Sequence, residues 1–143
     1  MARLPLHYVD LRAFCYATED ETAVERALRT FLPEDAELER EESEGFHGDR
    51  IVVLSVRLER ADEMRHVLSR LREMDDADFE RLLSELDQRV DEDCTFFVRL
   101  DKQAAFRGDA ALGEGITLRS KVEAYPAKKA TAVENVREAL TEE

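Results

Sequence analysis

The stretch from Arg99 to Gly108 (RLDKQAAFRG) carries the side chains best suited to meeting an anion. Lys102 would supply a compact charge to a phosphate. Gln103 could bond a base edge or a ribose 2′-hydroxyl. Arg99 and Arg107 could fork onto phosphate or stack on a base. Ala104 and Ala105 are small enough to allow a ligand backbone to approach closely. The alternative for this stretch is an ordinary surface loop with Phe106 tucked into the core.

The surrounding charge sharpens the point. All four lysines of the chain lie between Lys102 and Lys129. Val98 to Lys129 holds seven basic and four acidic side chains, in a chain that has 21 basic, 34 acidic and a formal net charge of -13. A positive island on an acidic chain marks a surface for an anion, and nucleic acid is the large anion that fits best. Lys128 and Lys129 stand just ahead of an expected helix, where two cations face its positive end. An anion bound there would relieve the repulsion and take up free N–H groups. A solvated lysine pair in a turn is the alternative.

Other chemistries are poorly supplied. Asp91-Glu92-Asp93 has the side chains of a Mg²⁺ site for phosphodiester cleavage. Three successive carboxylates, however, point in different directions on any regular element. His7, His47 and His66 share no metal-binding spacing. Phosphate-loop, nucleophile-elbow and dinucleotide-binding glycine patterns are absent, as are the common RNA-recognition and helix-turn-helix signatures. No cofactor or metal is expected, and the expected role is non-catalytic.

These side chains need a scaffold, and the apolar pattern gives one. From His7 to Ala17, Val9, Leu11, Ala13, Cys15 and Ala17 alternate with Tyr8, Asp10, Arg12, Phe14 and Tyr16, as in a strand with two unlike faces. A helix is expected from Thr18, set three residues before Glu21 as in a capping box, to a stop at Pro33. A weak acidic strand (residues 36–44), the turn GFHGD (residues 45–49) and the strand IVVLSVRL (residues 51–58) suggest a hairpin. Two helices follow, one marked by Met64, Val67, Leu68 and Leu71. The other is marked by Phe79, Leu82, Leu83, Leu86 and Val90, with Asp75 and Asp76 between the two. Strands over Thr95–Leu100 and Ile116–Tyr125 flank a loop that has a short helical turn at Lys102–Phe106. A terminal helix over Ala130–Leu140 ends the pattern.

The order is β-α-β-β-α-α-β-β-α. It fits a single α+β domain over residues 1–143, an antiparallel-rich sheet of four to five strands with helices mainly on one face. The opposite face would then gather Tyr8, Arg12, Phe14 and Tyr16 with Ser55 and Arg57. The later strands would add Thr95, Phe97 and Arg99, then Thr117, Arg119, Lys121 and Tyr125. Such a face could hold a phosphate backbone and stack unpaired bases. The alternative is a sheet covered on both sides, with Phe14, Phe97 and Tyr8 as core. The candidate contact set is therefore Arg12, Tyr16, Arg57, Arg99, Lys102, Gln103, Arg107, Arg119, Lys121, Lys128 and Lys129.

No apolar run reaches the length of roughly 20 residues that a membrane helix needs, and no secretion signal stands at the N-terminus. Cys15 and Cys94 sit in apolar runs and are expected as buried thiols of a reducing cytoplasm. The acidity is dispersed, and arginines outnumber lysines 17 to 4. That balance resembles proteins adapted to a very salty cytoplasm.

Four segments, HYVDLRAFCYATEDE (residues 7–21), GFHGDRIVVLSVRL (residues 45–58), VDEDCTFFVRLDKQAAFRGD (residues 90–109) and LRSKVEAYPAKK (residues 118–129), together cover most of the chain. In them the chain resembles a family of small archaeal RNA-binding proteins regarded as exosome-associated subunits with a double-stranded-RNA-binding-domain-like fold. The resemblance implies a compact α+β fold and an RNA-related role without known enzymatic activity. It assigns no functional residues. The heavy acidity of the second strand and the central helices departs from a broad basic surface and favours a small footprint. The leading expectation is thus a non-catalytic RNA-binding protein that serves RNA processing or degradation. An interaction subunit docking onto a larger assembly is the alternative, and a metal-dependent nuclease the remote one.

Overall fold

A computed structural model describes residues 4–45 and 48–141. Five strands form one antiparallel sheet: β1 (Leu6–Cys15), β2 (Glu39–Glu44), β3 (Arg50–Leu58), β4 (Thr95–Asp101) and β5 (Gly115–Val122). Their spatial order is β2-β3-β1-β5-β4. The longest strand, β1, is central. It pairs with β3 on one side and β5 on the other, and both registers bring like faces together. The expected α+β architecture is the observed one.

Alternation decides the two faces. Val9, Leu11, Ala13, Val52, Leu54, Val56, Phe96, Val98, Leu100, Ile116 and Leu118 are all buried on one of them. The helices α1 (Glu21–Arg29), α2 (Ala61–Leu71), α3 (Asp76–Ser84) and α6 (Lys129–Thr141) cover that face. They bury Val24, Leu28, Val67, Leu71, Leu82, Val136 and Leu140 in the same core. Full burial of one such side chain stabilises the fold by about 1.5–3 kcal/mol. The apolar stripe of each helix therefore fixes which side of the sheet it occupies.

Local signals differ from expectation at several ends. Helix α1 begins at Glu21, not Thr18, because the Asp20 carboxylate accepts from the Thr22 N–H at 3.0 Å and supplies the cap. The single helix expected through Phe79 to Val90 is two, α3 and a short α4 (Leu86–Arg89). The chain leaves helical geometry at Glu85 (φ -100°, ψ 8°), and Leu82 and Leu86 on either side of the break are both fully buried. Asp75 caps α3, accepting from Asp78 N–H at 2.8 Å. Lys102–Phe106 forms the expected short helix, α5. The β2–β3 hairpin is present. Its expected turn includes Phe46 and His47, which lie outside the described residues. Both cysteines are buried and free.

Candidate nucleic-acid interface

The face of the sheet away from the helices is open. The strand registers arrange its side chains in rows across β3, β1, β5 and β4. One row is Ser55, Arg12, Thr117 and Arg99. The next is Arg57, Asp10, Arg119 and Phe97. A third is Tyr8, Lys121 and Thr95. Phe14 lies beyond Arg12 on β1, level with Val53. The alternative of a sheet covered on both sides is not what forms: Phe14 is 40% exposed and Phe97 38%.

Four large hydrophobic side chains are exposed among the described residues: Phe14, Tyr16, Phe97 and Tyr125. The first three belong to this face. The Phe14 and Tyr16 rings lie 6.5 Å apart and near parallel, at 26°. Between Phe14 and Phe97 a hollow of about 200 Å³ is lined by Asp10, Arg12, Phe14, Phe97, Thr117 and Arg119.

The cations of the face are held in two ways. Arg57 forks onto Asp10 with bonds of 2.8 and 2.9 Å and lies 4.0 Å over the Tyr8 ring. Arg119 reaches the same carboxylate at 3.1 Å. Partial burial pushes the Asp10 carboxyl up, but hydrogen bonds from Arg57 and Arg119, with their charges, outweigh it and hold the group below the usual range. The Asp10 bond likewise raises Arg57. One carboxylate between two guanidiniums leaves a positive excess and fixes both planes against the sheet. Arg12 has no ion pair among the described residues and stands between the hydroxyls of Ser55 and Thr117. Arg99 makes a loose, exposed pair with Glu114 at 3.5 Å. Lys121 donates to the Asp93 carbonyl.

Lys102 belongs elsewhere. It is buried, and its ammonium donates to Glu19 at 2.8 Å and to the Phe14 carbonyl at 3.1 Å. Burial raises the Glu19 carboxyl, but the Lys102 hydrogen bond and a backbone bond from Tyr16 carry it below its ordinary value. The expected solvent-facing lysine is thus a tie between α5 and the end of β1, because the helix that begins at Lys102 turns it inward. Gln103 and Arg107 are exposed on α5 and at its C-terminal end. Helix α5 docks on α1, where Thr30 donates to the Ala105 carbonyl at 2.9 Å. Arg107 shares a recess with Arg70, Glu73 and Asp109 on the helical side. Lys128 precedes α6 and Lys129 is its first residue. Among the described residues no hydrogen bond or ion pair joins Gln103, Arg107, Lys128 or Lys129 to the open face. Arg12, Tyr16, Arg57, Arg99, Arg119 and Lys121 come together there; Lys102 touches this set through the Phe14 carbonyl and lies 5.5 Å from the centre of the Tyr16 ring, and the other four do not join it through such contacts.

Asp91, considered above as a metal ligand, closes a turn. Its carboxylate accepts from the N–H groups of Asp93 and Thr95 at 2.9 and 3.0 Å. Sequence reasoning did not identify Asp10 as the organiser of two arginines. Alternation places it on the open face, but only the pairing of β1 with both neighbours shows that it meets them.

The family model described as RNA binding matches residues 8–122. The chain is 37% identical to RNA-binding protein PAB1135 of Pyrococcus abyssi, over 96% of each chain. Among solved structures, Mth689 of Methanothermobacter thermautotrophicus, a DUF54 protein, is 41% identical with a TM-score of 0.80, over 94% of this chain and 98% of that one. Protein AF2318 of Archaeglobus fulgidus, also described with DUF54, superposes with a TM-score of 0.83 at 28% identity, over 94% of this chain and 99% of that one. The chain belongs to the RNA-binding family.

Proposed function

We propose that this protein binds RNA on the open face of its sheet and does no chemistry on it. The observation that carries the reading is the pairing of exposed Phe14 and Phe97 with Arg12 and Arg119 around one hollow. An aromatic side chain left in water on a sheet bears unburied apolar area. A base stacked on it removes that area, contributing about 1–3 kcal/mol per base. Arg12 and Arg119 supply charge to the backbone, and Thr117 and Ser55 supply hydroxyls that can bond a 2′-hydroxyl. This favours unpaired bases within structured RNA over a continuous duplex.

The finer reading is an accessory subunit of RNA processing or degradation, exosome-related, working in a salt-rich cytoplasm. The segment resemblance supports the first part, and dispersed acidity with few lysines the second. At 1 M salt the screening length is about 3 Å, so steering by distant charge nearly vanishes. Stacking does not depend on screening, and short arginine bonds are screened less than distant charge though they still weaken through counterion release; these are what the open face offers.

Binding and integrity of a labelled hairpin RNA and a single strand, measured in high KCl with and without Mg²⁺, test this. Binding without cleavage is expected, with a roughly tenfold or greater loss for Arg12→Ala/Phe14→Ala and little change for Gln103→Ala/Arg107→Ala. Magnesium-dependent cleavage would overturn the non-catalytic part. An absence of binding to either RNA would overturn the whole reading and favour docking onto a protein assembly.

A further inference from the structure

A second recess lies beside the open face, across the outer edge of β4. It encloses about 340 Å³ and is lined by Arg81, Gln88, Arg89, Phe97, Arg99, Leu112, Gly113 and Glu114. Three arginines reach it from three elements: Arg81 from α3, Arg89 from α4 and Arg99 from β4. Phe97 is common to this recess and the central hollow.

The arginines of the recess are held by exposed or single ion pairs. Glu85 sits at the break between α3 and α4 and holds Arg89 at 2.7 Å and Arg81 at 3.3 Å. Hydrogen bonding by Arg89 and the nearby Arg81 charge keep the Glu85 carboxyl below its usual range. Glu114 is 3.5 Å from Arg99, an exposed pair that a competing anion can replace. Glu85 and Glu114 thus pair with the three guanidiniums, and a third carboxylate, Asp78, accepts from the N–H of Leu112 at the wall of the recess at 3.0 Å. Glu85 is the ion-pair partner of Arg89 among the described residues; the Arg89 Nε is buried without a partner, and the side chain as a whole stays 17% exposed. A charged donor without an acceptor is destabilising in a folded protein. Glu85 takes one nitrogen of this guanidinium, and that single bond leaves the group positioned but under-satisfied.

We propose that this recess is a phosphate subsite, taking a backbone phosphate of an RNA strand whose neighbouring base lies on Phe97. Arg81 and Arg89 grip the phosphate oxygens, Gln88 adds an amide donor, and Arg99 turns from Glu114 to the same group. The i, i+4 spacing of Arg81, Glu85 and Arg89 brings both arginines to one carboxylate, and both side chains line the recess. The inference rests on RNA binding by the open face and extends the ligand path past β4 onto the α3–α4 junction.

The test uses the full chain and a single-stranded oligonucleotide, with affinity measured across a series of KCl concentrations. Arg89→Gln/Arg81→Gln is expected to weaken binding roughly tenfold. It should also flatten the plot of log affinity against log salt by about 0.7 for each phosphate that the protein no longer neutralises. Arg81→Gln alone, at an exposed side chain, guards against misfolding of the double variant and is expected to give a smaller loss of the same kind. If the wild type and an Arg12→Ala/Phe14→Ala variant differ as expected while Arg81→Gln and the double variant keep wild-type affinity and slope, the subsite is refuted and the open-face reading stands. If the wild type does not bind the oligonucleotide, both fall together.

Discussion

Asp10 restrains two guanidiniums on the open face, and its removal has opposite consequences for folding and for binding. Asp10→Asn keeps the shape but removes the charge that Arg57 and Arg119 share. Pairs whose arginines are this exposed contribute little to stability. A small drop in melting temperature is expected, with tighter RNA binding at fixed salt because the face gains a positive charge. Thermal melts and anisotropy titrations on one preparation check both signs. Lys102 behaves differently. Its pair with Glu19 is largely enclosed, so Lys102→Met leaves a carboxylate without its partner and is expected to lower stability by about 2–4 kcal/mol. RNA affinity of the folded fraction should hardly change. Denaturant unfolding beside binding separates the two effects. The acid limb of stability follows from the same pairs. Asp10 and Glu19 have folded-state pKa values below their ordinary ones. Their stabilisation is complete above the unfolded-state values near pH 4 and is lost as pH falls through the lower folded-state values. In Lys102→Met the share of this acid sensitivity that belongs to Glu19 should shrink, which unfolding midpoints between about pH 5 and 2 would show.

At the scale of elements, the strands position the interface and the acidic edge limits it. Thr117 on β5 stands between Arg12 and Arg99 with its side chain in solvent. Thr117→Glu should leave the fold intact and reduce RNA binding by roughly tenfold, since a carboxylate there meets both arginines and repels phosphate. Unchanged affinity with normal circular dichroism would contradict a backbone path over β5. Much of this element plan was readable from sequence. The alternation of Val9, Leu11, Ala13 and Cys15 against Tyr8, Arg12, Phe14 and Tyr16 fixed both faces of β1, and β3, β4 and β5 repeat the logic. What sequence did not carry was contact between distant elements. Lys102 looked like a surface cation because its partners, Glu19 and the Phe14 carbonyl, lie more than eighty positions away. The break at Glu85 was hidden because Phe79, Leu82, Leu83, Leu86 and Val90 keep a helical spacing through it. Arg81 and Arg89 were not singled out from sequence, because only the packing of α3 and α4 beside β4 sets them in one recess with Arg99.

For the whole molecule, charge is the governing property. A formal net charge of -13 on 143 residues means self-repulsion in dilute solution. The helices and β2 carry much of it; all six β2 residues are exposed, four of them glutamates, which discourages pairing with a second sheet edge. The melting temperature is therefore expected to rise as KCl is raised from dilute buffer toward molar concentrations. Insensitivity to salt would remove the case for a saline setting. The arginines of the open face are gathered on β1, β3, β4 and β5, while Glu39 and Glu41 of β2 stand at its edge, level with Ser55 and Val53. The central claim, that RNA lies on the uncovered sheet, is tested most directly by mapping amide and side-chain NMR shifts on adding a short RNA in high KCl. Shifts are expected at Arg12, Phe14, Phe97, Thr117 and Arg119, with α1, α2 and α6 quiet. Shifts confined to α5, the start of α6 or the β2 edge, with Phe14 and Phe97 unmoved, would contradict it.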